Sequence, residues 1–193
     1  MGLTSTSTGA GAADTALVLR RERPDDRIVA LAGNPNVGKS TVFNALTGLR
    51  QHTGNWPGKT VALAKGTARH QETDYTLVDL PGTYSLIANS AEEAIASEFI
   101  CFQKPAVTIV VCDATALQRN LNLVLQILQM TANVVVCVNL MDEARKKKIE
   151  IDLEKLSELL QVPVVAASAR SHQGLDALMD AVAQLTEHPR TQI

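Results

Sequence analysis

From residue 28 onward, short apolar runs alternate with longer stretches whose apolar residues recur at helical spacing. Several runs are continuous, as in strands buried on both faces, which predicts a mainly parallel sheet with helices on both sides. The predicted strands are Ile28–Ala32, Val61–Arg69, Tyr75–Asp79, Val107–Cys112, Val134–Asn139 and Val164–Ala167. A short polar stretch joins the second and third strands, so these two are predicted to pair antiparallel. The predicted helices are Ser40–Thr47, Ala91–Phe102, Gln118–Thr131, Leu153–Leu160 and Leu175–Gln184, with Asp152 as N-cap of the fourth.

The alternating pattern fills residues 27–188 and predicts one domain, which suits a chain of 193 residues. Residues 1–26 are rich in Ser, Thr, Gly and Ala and lack a period, so we predict a flexible tail there, and a short carboxyl end at 189–193. No apolar stretch approaches the roughly 20 residues of a membrane helix. The amino terminus also lacks the apolar core of a signal peptide. The chain is therefore expected in the cytoplasm, with no membrane span of its own.

Charge and composition exclude several classes of function. The net charge is −2 and 46% of residues are apolar, an ordinary globular balance. The compact basic run Arg145–Lys148 is predicted to be a solvated helix end, so no nucleic-acid partner is expected. Cys101, Cys112 and Cys137 are far apart in sequence, and the four histidines show no ligand spacing. This pattern favours reduced thiols and disfavours a His or Cys metal centre.

The string GNPNVGKS fits G-x-x-x-x-G-K-[ST], the phosphate-binding loop, and lies between a predicted strand and a predicted helix. The glycines let the backbone wrap around a phosphate, whose oxygens then face successive N–H groups and the helix N-terminus. Lys39 is predicted to neutralise the β- and γ-phosphates, and the Ser40 hydroxyl to bind Mg²⁺. The predicted contacts from this loop are Gly33, Asn34, Pro35, Asn36, Val37, Gly38, Lys39, Ser40 and Thr41.

The string DLPG follows the third predicted strand, at the sheet edge where the phosphate loop emerges. A carboxylate at Asp79 is placed there to hold Mg²⁺ through water, and the Gly82 N–H to reach a γ-phosphate. Alone, Asp before Pro-Gly is usually only a turn, and its position relative to the phosphate loop favours the nucleotide role. The predicted contacts are Asp79, Leu80, Pro81 and Gly82.

Two further strings follow the last two predicted strands. In NLMD, the Asp142 carboxylate can accept from both the N1–H and the exocyclic amine of guanine, an arrangement that adenine lacks. We therefore predict that Asp142 selects guanine and that Asn139 braces the loop. The backbone of the second string, Ser-Ala-Arg, is predicted to receive the guanine O6. The predicted contacts are Asn139, Leu140, Met141, Asp142, Ser168, Ala169 and Arg170.

The segment Arg50–Thr60 is polar, Gly-rich and contains Pro, which predicts a loop. It lies where GTPases carry their first switch loop, and this similarity implies a loop that changes with the bound nucleotide. Thr60 is predicted to offer its hydroxyl to Mg²⁺ and its N–H to the γ-phosphate, with Gly58 and Lys59 beside the nucleotide. Trp56 is the only tryptophan of the chain. It is either the apolar anchor of this loop or a contact for a partner.

The run GNPNVGKSTVFNALTGLRQHTGNWPGKTV, with DLPGTYSL after it, resembles the cytoplasmic GTPase domain of the FeoB ferrous-iron transporters, over about Arg27 to Glu187. The resemblance implies a Ras-like P-loop NTPase fold: three layers around a six-stranded, mostly parallel sheet. It implies GTP, GDP and Mg²⁺ as ligands, and a membrane permease as partner, in the same chain or another, at the cytoplasmic face of the bacterial inner membrane. The family's nucleotide-contacting positions fall on Lys39, Ser40, Thr60, Asp79, Gly82, Asn139 and Asp142.

The resemblance also implies a catalytic set and a potassium site. Members of the family are potassium-stimulated GTPases, and the asparagine that binds K⁺ in related GTPases corresponds to Asn36. Hydrolysis is expected to be slow, because Thr83 stands where Ras-like proteins carry a water-orienting Gln. Leu140 replaces the Lys of the usual N-K-x-D, which is expected to weaken nucleotide affinity. The predicted catalytic residues are Lys39, Thr60, Gly82 and Asn36, and the predicted Mg²⁺ ligands are Ser40, Thr60 and Asp79.

Two other functions fit the same strings. A stand-alone GTPase of the ribosome-assembly class shares them, although it normally carries an RNA-binding appendage, which is not visible here. A nucleotide sensor with negligible turnover would share them too. The family continues into a helical domain and transmembrane helices, and since this sequence stops at Ile193, both are expected to be absent from it.

Overall fold

The computed structural model describes residues 27–48, 51–55, 62–87 and 90–191, which form a seven-stranded sheet between two layers of helices. The strands are β1 Arg27–Gly33, β2 Gln51–Asn55, β3 Ala62–His70, β4 Thr73–Asp79, β5 Val107–Asp113, β6 Val134–Asn139 and β7 Val164–Ala166. The helices are α1 Lys39–Thr47, α2 Ala91–Glu98, α3 Leu117–Met130, α4 Met141–Lys146, α5 Leu153–Leu160 and α6 Leu175–Glu187. A π-helix, Phe99–Gln103, continues α2, and 3₁₀ turns lie at Ala114–Ala116 and Ala169–Ser171.

The strand order is β2-β3-β4-β1-β5-β6-β7. β3 runs antiparallel to β2 and β4, and the other pairs are parallel. The α/β fold class and the predicted antiparallel pair are therefore confirmed. The number of strands differs from the six that were predicted, because β2 adds a seventh at the edge of the sheet. Its sequence, QHTGN, lacks the alternation of apolar and polar residues by which a strand is recognised. β2 is an edge strand held in the sheet by its backbone pairing with β3, and this pairing does not require such an alternation.

Alternation along β1 divides the core into two apolar layers. Ala30 and Ala32 face a layer that contains the buried residues of α2 and α3, whereas Leu31 faces the layer that contains those of α1 and α6. The long runs of β5 and β6 are fully buried except at Asp113. The predicted parallel strands were therefore recognisable because both of their faces are covered.

The helix ends agree largely with the sequence. The Asp152 carboxylate accepts the Lys155 N–H at 2.8 Å and caps α5, as predicted. Residues 145–148 are exposed at the carboxyl end of α4. The bounds of that helix were not predicted, because it is only six residues long and begins inside the NLMD string. None of the helices in the described residues is long and apolar enough to cross a bilayer.

Two cysteines are part of the core, as predicted. Cys112 and Cys137 lie in β5 and β6 with no exposed surface, whereas Cys101 is exposed. Burial raises the pKa of the Cys137 thiol to about 12, and burial together with the nearby Asp113 charge raises the pKa of Cys112 to about 12. Both thiols therefore stay protonated over the physiological range.

One side-chain contact ties the β3–β4 hairpin to the last helix. His70 ends β3, next to the turn, and its Nε2 lies 2.7 Å from Asp180 Oδ1 of α6. At the other end of the hairpin, Ala64 pairs with Asp79. The hairpin thus spans from α6 to the sheet edge where the predicted site residues collect.

Candidate functional site

Four loops meet at the carboxyl edge of the sheet. They follow β1, β4, β6 and β7 and contain the predicted contacts Gly33–Thr41, Asp79–Gly82, Asn139–Asp142 and Ser168–Arg170. Parallel strands place their carboxyl ends at one edge, so the loops are brought together by the topology alone. The contacts predicted from the remaining loop, Gly58, Lys59 and Thr60, lie outside the described residues, as does Trp56.

The loop after β1 turns sharply into α1. Asn36 and Gly38 both adopt the left-handed conformation, with φ of 66° and 80°. A side chain at Gly38 would place its Cβ 2.5 Å from Asn139 Nδ2, so glycine is required there for space as well as for backbone angle. No described side chain caps the start of α1, and no acid lies in its first turn. The first N–H groups of α1 and its positive dipole end therefore face the loop, as anion binding requires.

The polar centre of the site is formed by Lys39, Ser40 and Asp79. Lys39 Nζ forms an ion pair with Asp79 Oδ1, and both side chains are largely buried. Ser40 Oγ lies 3.4 Å from Asp79 Oδ2, at the limit of a hydrogen bond. The three residues come from two motifs about 40 positions apart, and they place an ammonium, a hydroxyl and a carboxylate at one point.

The Asp79–Gly82 turn packs directly on the phosphate loop. The Leu80 N–H donates to the Leu31 carbonyl at 2.9 Å, and the Thr83 N–H donates to the Gly33 carbonyl at 3.2 Å. A Cβ on Gly82 would lie 3.2 Å from Pro35 Cα, so a side chain there would separate the turn from the loop. The turn and the loop therefore form one packed unit.

The Thr83 hydroxyl is used within its own turn. Its Oγ1 accepts the Ser85 N–H at 3.0 Å and donates to the Ser85 carbonyl, and the residue is buried. Both hydrogen-bonding functions of the hydroxyl are thus occupied. Thr83 consequently does not supply the group that a Gln would present at this position to an attacking water.

Asn139 joins the phosphate loop to the last loop of the sheet. Its side chain is buried; Nδ2 donates to the Val37 carbonyl at 3.1 Å, and Oδ1 accepts the Ala169 N–H at 3.1 Å. An amide is suited to this position because it carries a donor and an acceptor on one planar group. The Ala169 N–H is already used by Asn139, so a guanine O6 bound to that N–H would share it.

The residues predicted to recognise the base lie at the start of the short helix α4. Leu140 has a left-handed φ of 62°, and its Cδ2 lies 3.8 Å from the Cβ position of Gly38, so it covers the end of the phosphate loop. The Asp142 N–H donates to Ser168 Oγ at 3.2 Å, which fixes the acid beside the Ser168–Arg170 loop. The Asp142 side chain stands on the first turn of α4.

The residues present fit Mg²⁺ in their chemistry. A serine hydroxyl and a carboxylate are hard oxygen donors, the type that Mg²⁺ prefers, and both are at the phosphate loop. In the described part of the chain there is no group of three or more His, Cys, Asp or Glu side chains that could hold a metal ion by itself. Mg²⁺ would therefore complete its coordination with water and phosphate oxygens.

Comparison with known proteins decides the family. The family model for "Ferrous iron transport protein B" matches residues 27–182. The chain belongs to the FeoB family. The Fe(2+) transporter FeoB of Salmonella typhimurium is 42% identical over 158 residues, which are 80% of this chain and 20% of that protein. The chain thus spans about a fifth of the length of the curated FeoB relatives that it matches.

Solved FeoB structures share the fold. The FeoB G-domain from Methanococcus jannaschii is 43% identical, with a TM-score of 0.75 over 84% of this chain and 98% of that one. The cytosolic domain of T. maritima FeoB in its GMPPNP form is 37% identical, with a TM-score of 0.83 over 86% of this chain and 66% of that one. The predicted resemblance is confirmed, and FeoB G domains are P-loop GTPases.

The sequence analysis missed the side chains that hold the segment after Gly82. Gln126 on α3 accepts the Leu86 N–H at 2.7 Å and the Ser85 hydroxyl at 3.2 Å. Arg119, also on α3, lies over the Tyr84 ring at 4.5 Å from its centroid. α3 is about 40 residues further along the chain, and a polar residue on an amphipathic helix does not by itself indicate which loop it contacts.

Proposed function

We propose that this chain is a FeoB-type G domain that binds GTP with Mg²⁺, hydrolyses it slowly to GDP, and couples this cycle to ferrous-iron transport across a membrane. The observation that carries the proposal is the convergence of Lys39, Ser40 and Asp79 at the amino end of α1. A cation, a hydroxyl and a carboxylate beside uncapped helix N–H groups match the needs of a nucleotide triphosphate with its metal ion.

The chain's own residues supply charge and orientation for phosphoryl transfer. The Lys39 ammonium neutralises phosphate oxygens, and the Gly82 N–H is a donor for the γ-phosphate. Ser40 would hold Mg²⁺ through its hydroxyl and Asp79 through water, and the ion would supply positive charge to the phosphate oxygens. Thr60 is the further ligand that the family pattern assigns. Catalysis by such a site depends on positioning and on neutralising the developing charge.

Base choice is proposed to rest on Asp142. Its carboxylate accepts from guanine N1–H and from the exocyclic amine, and the Ser168 contact to its backbone fixes its position. Leu140 stands where N-K-x-D proteins carry a Lys. Its apolar side chain can pack as the aliphatic part of that Lys does, but it has no ammonium group. Lower nucleotide affinity than in N-K-x-D proteins follows from that loss.

Slow, potassium-stimulated turnover is proposed on two grounds. The Thr83 hydroxyl is bound to Ser85, so the usual water-orienting group is missing. Asn36 stands at the turn of the phosphate loop in a left-handed conformation, with an amide oxygen of the type that K⁺ binds. A K⁺ ion at Asn36 would offset charge developing between the β- and γ-phosphates.

The transport role rests on the family. The Fe(2+) transporter FeoB of Salmonella typhimurium is about five times as long as the region that matches this chain. A permease domain or subunit at the cytoplasmic side of the bacterial inner membrane is therefore the proposed partner. This chain itself is expected to carry nucleotide and not iron.

Nucleotide titration and a turnover assay test the proposal. We expect GTP and GDP to bind in the presence of Mg²⁺, ATP not to bind measurably, and GTP to be converted slowly to GDP. Equal binding of ATP and GTP would remove the guanine assignment. Binding without any turnover, with or without K⁺, would favour the nucleotide sensor. For the transport role, Lys39→Ala placed in the full-length transporter should abolish ferrous-iron uptake by whole cells, and unchanged uptake would refute the coupling.

A further inference from the structure

Asn34 carries a buried acceptor that nothing in the described part of the chain uses. The residue is 3% exposed, and its Oδ1 has no hydrogen-bond partner among the described residues. A buried carbonyl oxygen without a donor raises the free energy of the state that contains it. The phosphate loop therefore holds an acceptor that a donor would satisfy in another state of the site.

The turn that follows Asp79 packs against the part of the phosphate loop that contains Asn34. The Thr83 N–H donates to the carbonyl of Gly33, the residue before Asn34, at 3.2 Å. Gly82 packs against Pro35, the residue after Asn34, with 3.2 Å between its Cβ position and Pro35 Cα. The turn that follows Asp79 thus contacts both sequence neighbours of Asn34.

The turn after Asp79 is hydrogen-bonded at both of its ends, which limits its movement. On one side, the Leu80 N–H is bonded to the Leu31 carbonyl at 2.9 Å. On the other side, the Leu86 N–H is bonded to Gln126 Oε1 at 2.7 Å. Because the hydrogen bonds of Leu80 and Leu86 hold both ends of the turn, a movement of Gly82 towards a γ-phosphate must change the orientation of the peptide groups between them, at residues 81–85.

We propose that Asn34 is a positioning residue for recognition of the γ-phosphate. Its Oδ1 accepts a backbone N–H of the turn at residues 82–84 when Gly82 closes on the γ-phosphate, and this bond replaces the one between Thr83 and Gly33. The proposal rests on the proposed GTP binding above. The Gly33 carbonyl and Asn34 Oδ1 are acceptors on consecutive residues, so the turn has two positions in which one of its N–H groups is hydrogen-bonded. Asn34 Oδ1 gains a donor only in the position with Gly82 on the γ-phosphate, and this bond therefore favours binding of GTP over GDP.

The variant Asn34→Leu tests this proposal, because it removes Oδ1 at nearly constant side-chain volume. Thr108→Val is the matched control: Thr108 Oγ1 in β5 is the other buried side-chain atom without a partner among the described residues. Affinities for GDP and for a non-hydrolysable GTP analogue are measured by calorimetry with Mg²⁺. One hydrogen bond made only in the GTP state predicts a loss of about five- to tenfold in affinity for the analogue. Affinity for GDP should stay within about twofold, and Thr108→Val should change neither affinity.

The outcomes separate the inference from the proposed function. An unchanged ratio of the two affinities in Asn34→Leu, or an equal loss of both, overturns the role of Asn34 and leaves GTP binding intact. Failure of the wild-type protein to bind either nucleotide refutes the proposed function instead. Hydrogen exchange on the wild-type protein gives a measurement without any variant: the turn amides at residues 82–84 should be protected in the GTP-analogue form. Free exchange of all three in that form also overturns the inference.

Discussion

Asn139 donates from its side chain to the carbonyl of Val37, across 102 positions of sequence, and thereby fixes the phosphate loop to the loop that is predicted to select the base. The same side chain accepts the Ala169 N–H. The phosphate loop and the Ser168–Arg170 loop therefore share a single side-chain amide, which fixes the distance between them in this structure.

Asn139→Ala should accordingly weaken binding and stability together. It leaves the Val37 carbonyl and the Ala169 N–H without their partner, and we expect a loss of about 2–3 kcal/mol in the free energy of unfolding. Affinity for GDP should fall at least about tenfold, since the loops lose their common anchor. Asn120→Ala is the control, because Asn120 is similarly buried and its side chain accepts the Asp113 N–H of β5, not a group of either loop. It should lower stability while GDP affinity stays within about twofold.

Lys39→Ala should abolish tight nucleotide binding and also destabilise the protein. Lys39 is only 8% exposed and is paired with Asp79. Removing it leaves a largely buried carboxylate unpaired, which costs about 3 kcal/mol. Lys155→Ala breaks an exposed pair with Glu158 and should cost under about 0.5 kcal/mol. Urea unfolding and calorimetry measure both effects, and wild-type GDP affinity in Lys39→Ala would remove Lys39 from the site.

Asp142→Asn should exchange guanine for xanthine nucleotides. The amide donates to the xanthine O2, whereas the carboxylate accepts from the guanine amine. We expect a loss of at least about 100-fold for GTP and a gain for xanthosine triphosphate. Glu143→Gln, next to it and paired with Lys146 at 2.9 Å, should leave base choice unchanged. Competition titrations with both nucleotides decide the matter; GTP binding unaffected by Asp142→Asn would place base recognition elsewhere.

GTP turnover should be faster in KCl than in NaCl at equal ionic strength. Na⁺ is smaller and would fit poorly in the proposed site, where Asn36, the phosphates and nearby backbone carbonyls would hold K⁺. In Asn36→Ala the difference should vanish, with nucleotide binding largely kept. Asn122→Ala, an exposed position on α3, serves as control and should keep the difference. Equal wild-type rates in the two salts would exclude the K⁺ site and leave unassisted hydrolysis or a group supplied by a partner.

Only one of the three thiols should react in the folded protein. Burial raises the pKa values of Cys112 and Cys137 to about 12, so their thiols stay protonated and shielded at pH 8, while Cys101 is exposed. A thiol reagent at pH 8 should label about one equivalent quickly and the remaining two on unfolding. Rapid labelling of all three would show that the sheet opens readily between β5 and β6.

The sequence predicted best those elements whose pattern of apolar residues extends over many positions. The buried strands were found because both of their faces are covered, which makes their apolar runs continuous. β2 was missed because an edge strand needs no such run, and α4 because six residues are too few for helical periodicity to show. The roles of Gln126 and Arg119 were missed because contacts between a loop and a distant helix depend on the fold, not on local pattern.

The contact between His70 and Asp180 means that the β3–β4 hairpin is bound to other parts of the domain at both of its ends. Its tip is fastened to α6, and the opposite end of β4 is Asp79, which is paired with Lys39. The hairpin strands are paired along their length. A continuous hydrogen-bonded path, about seven residues of β4 long, therefore joins the His70–Asp180 contact on α6 to the carboxylate beside the phosphate loop.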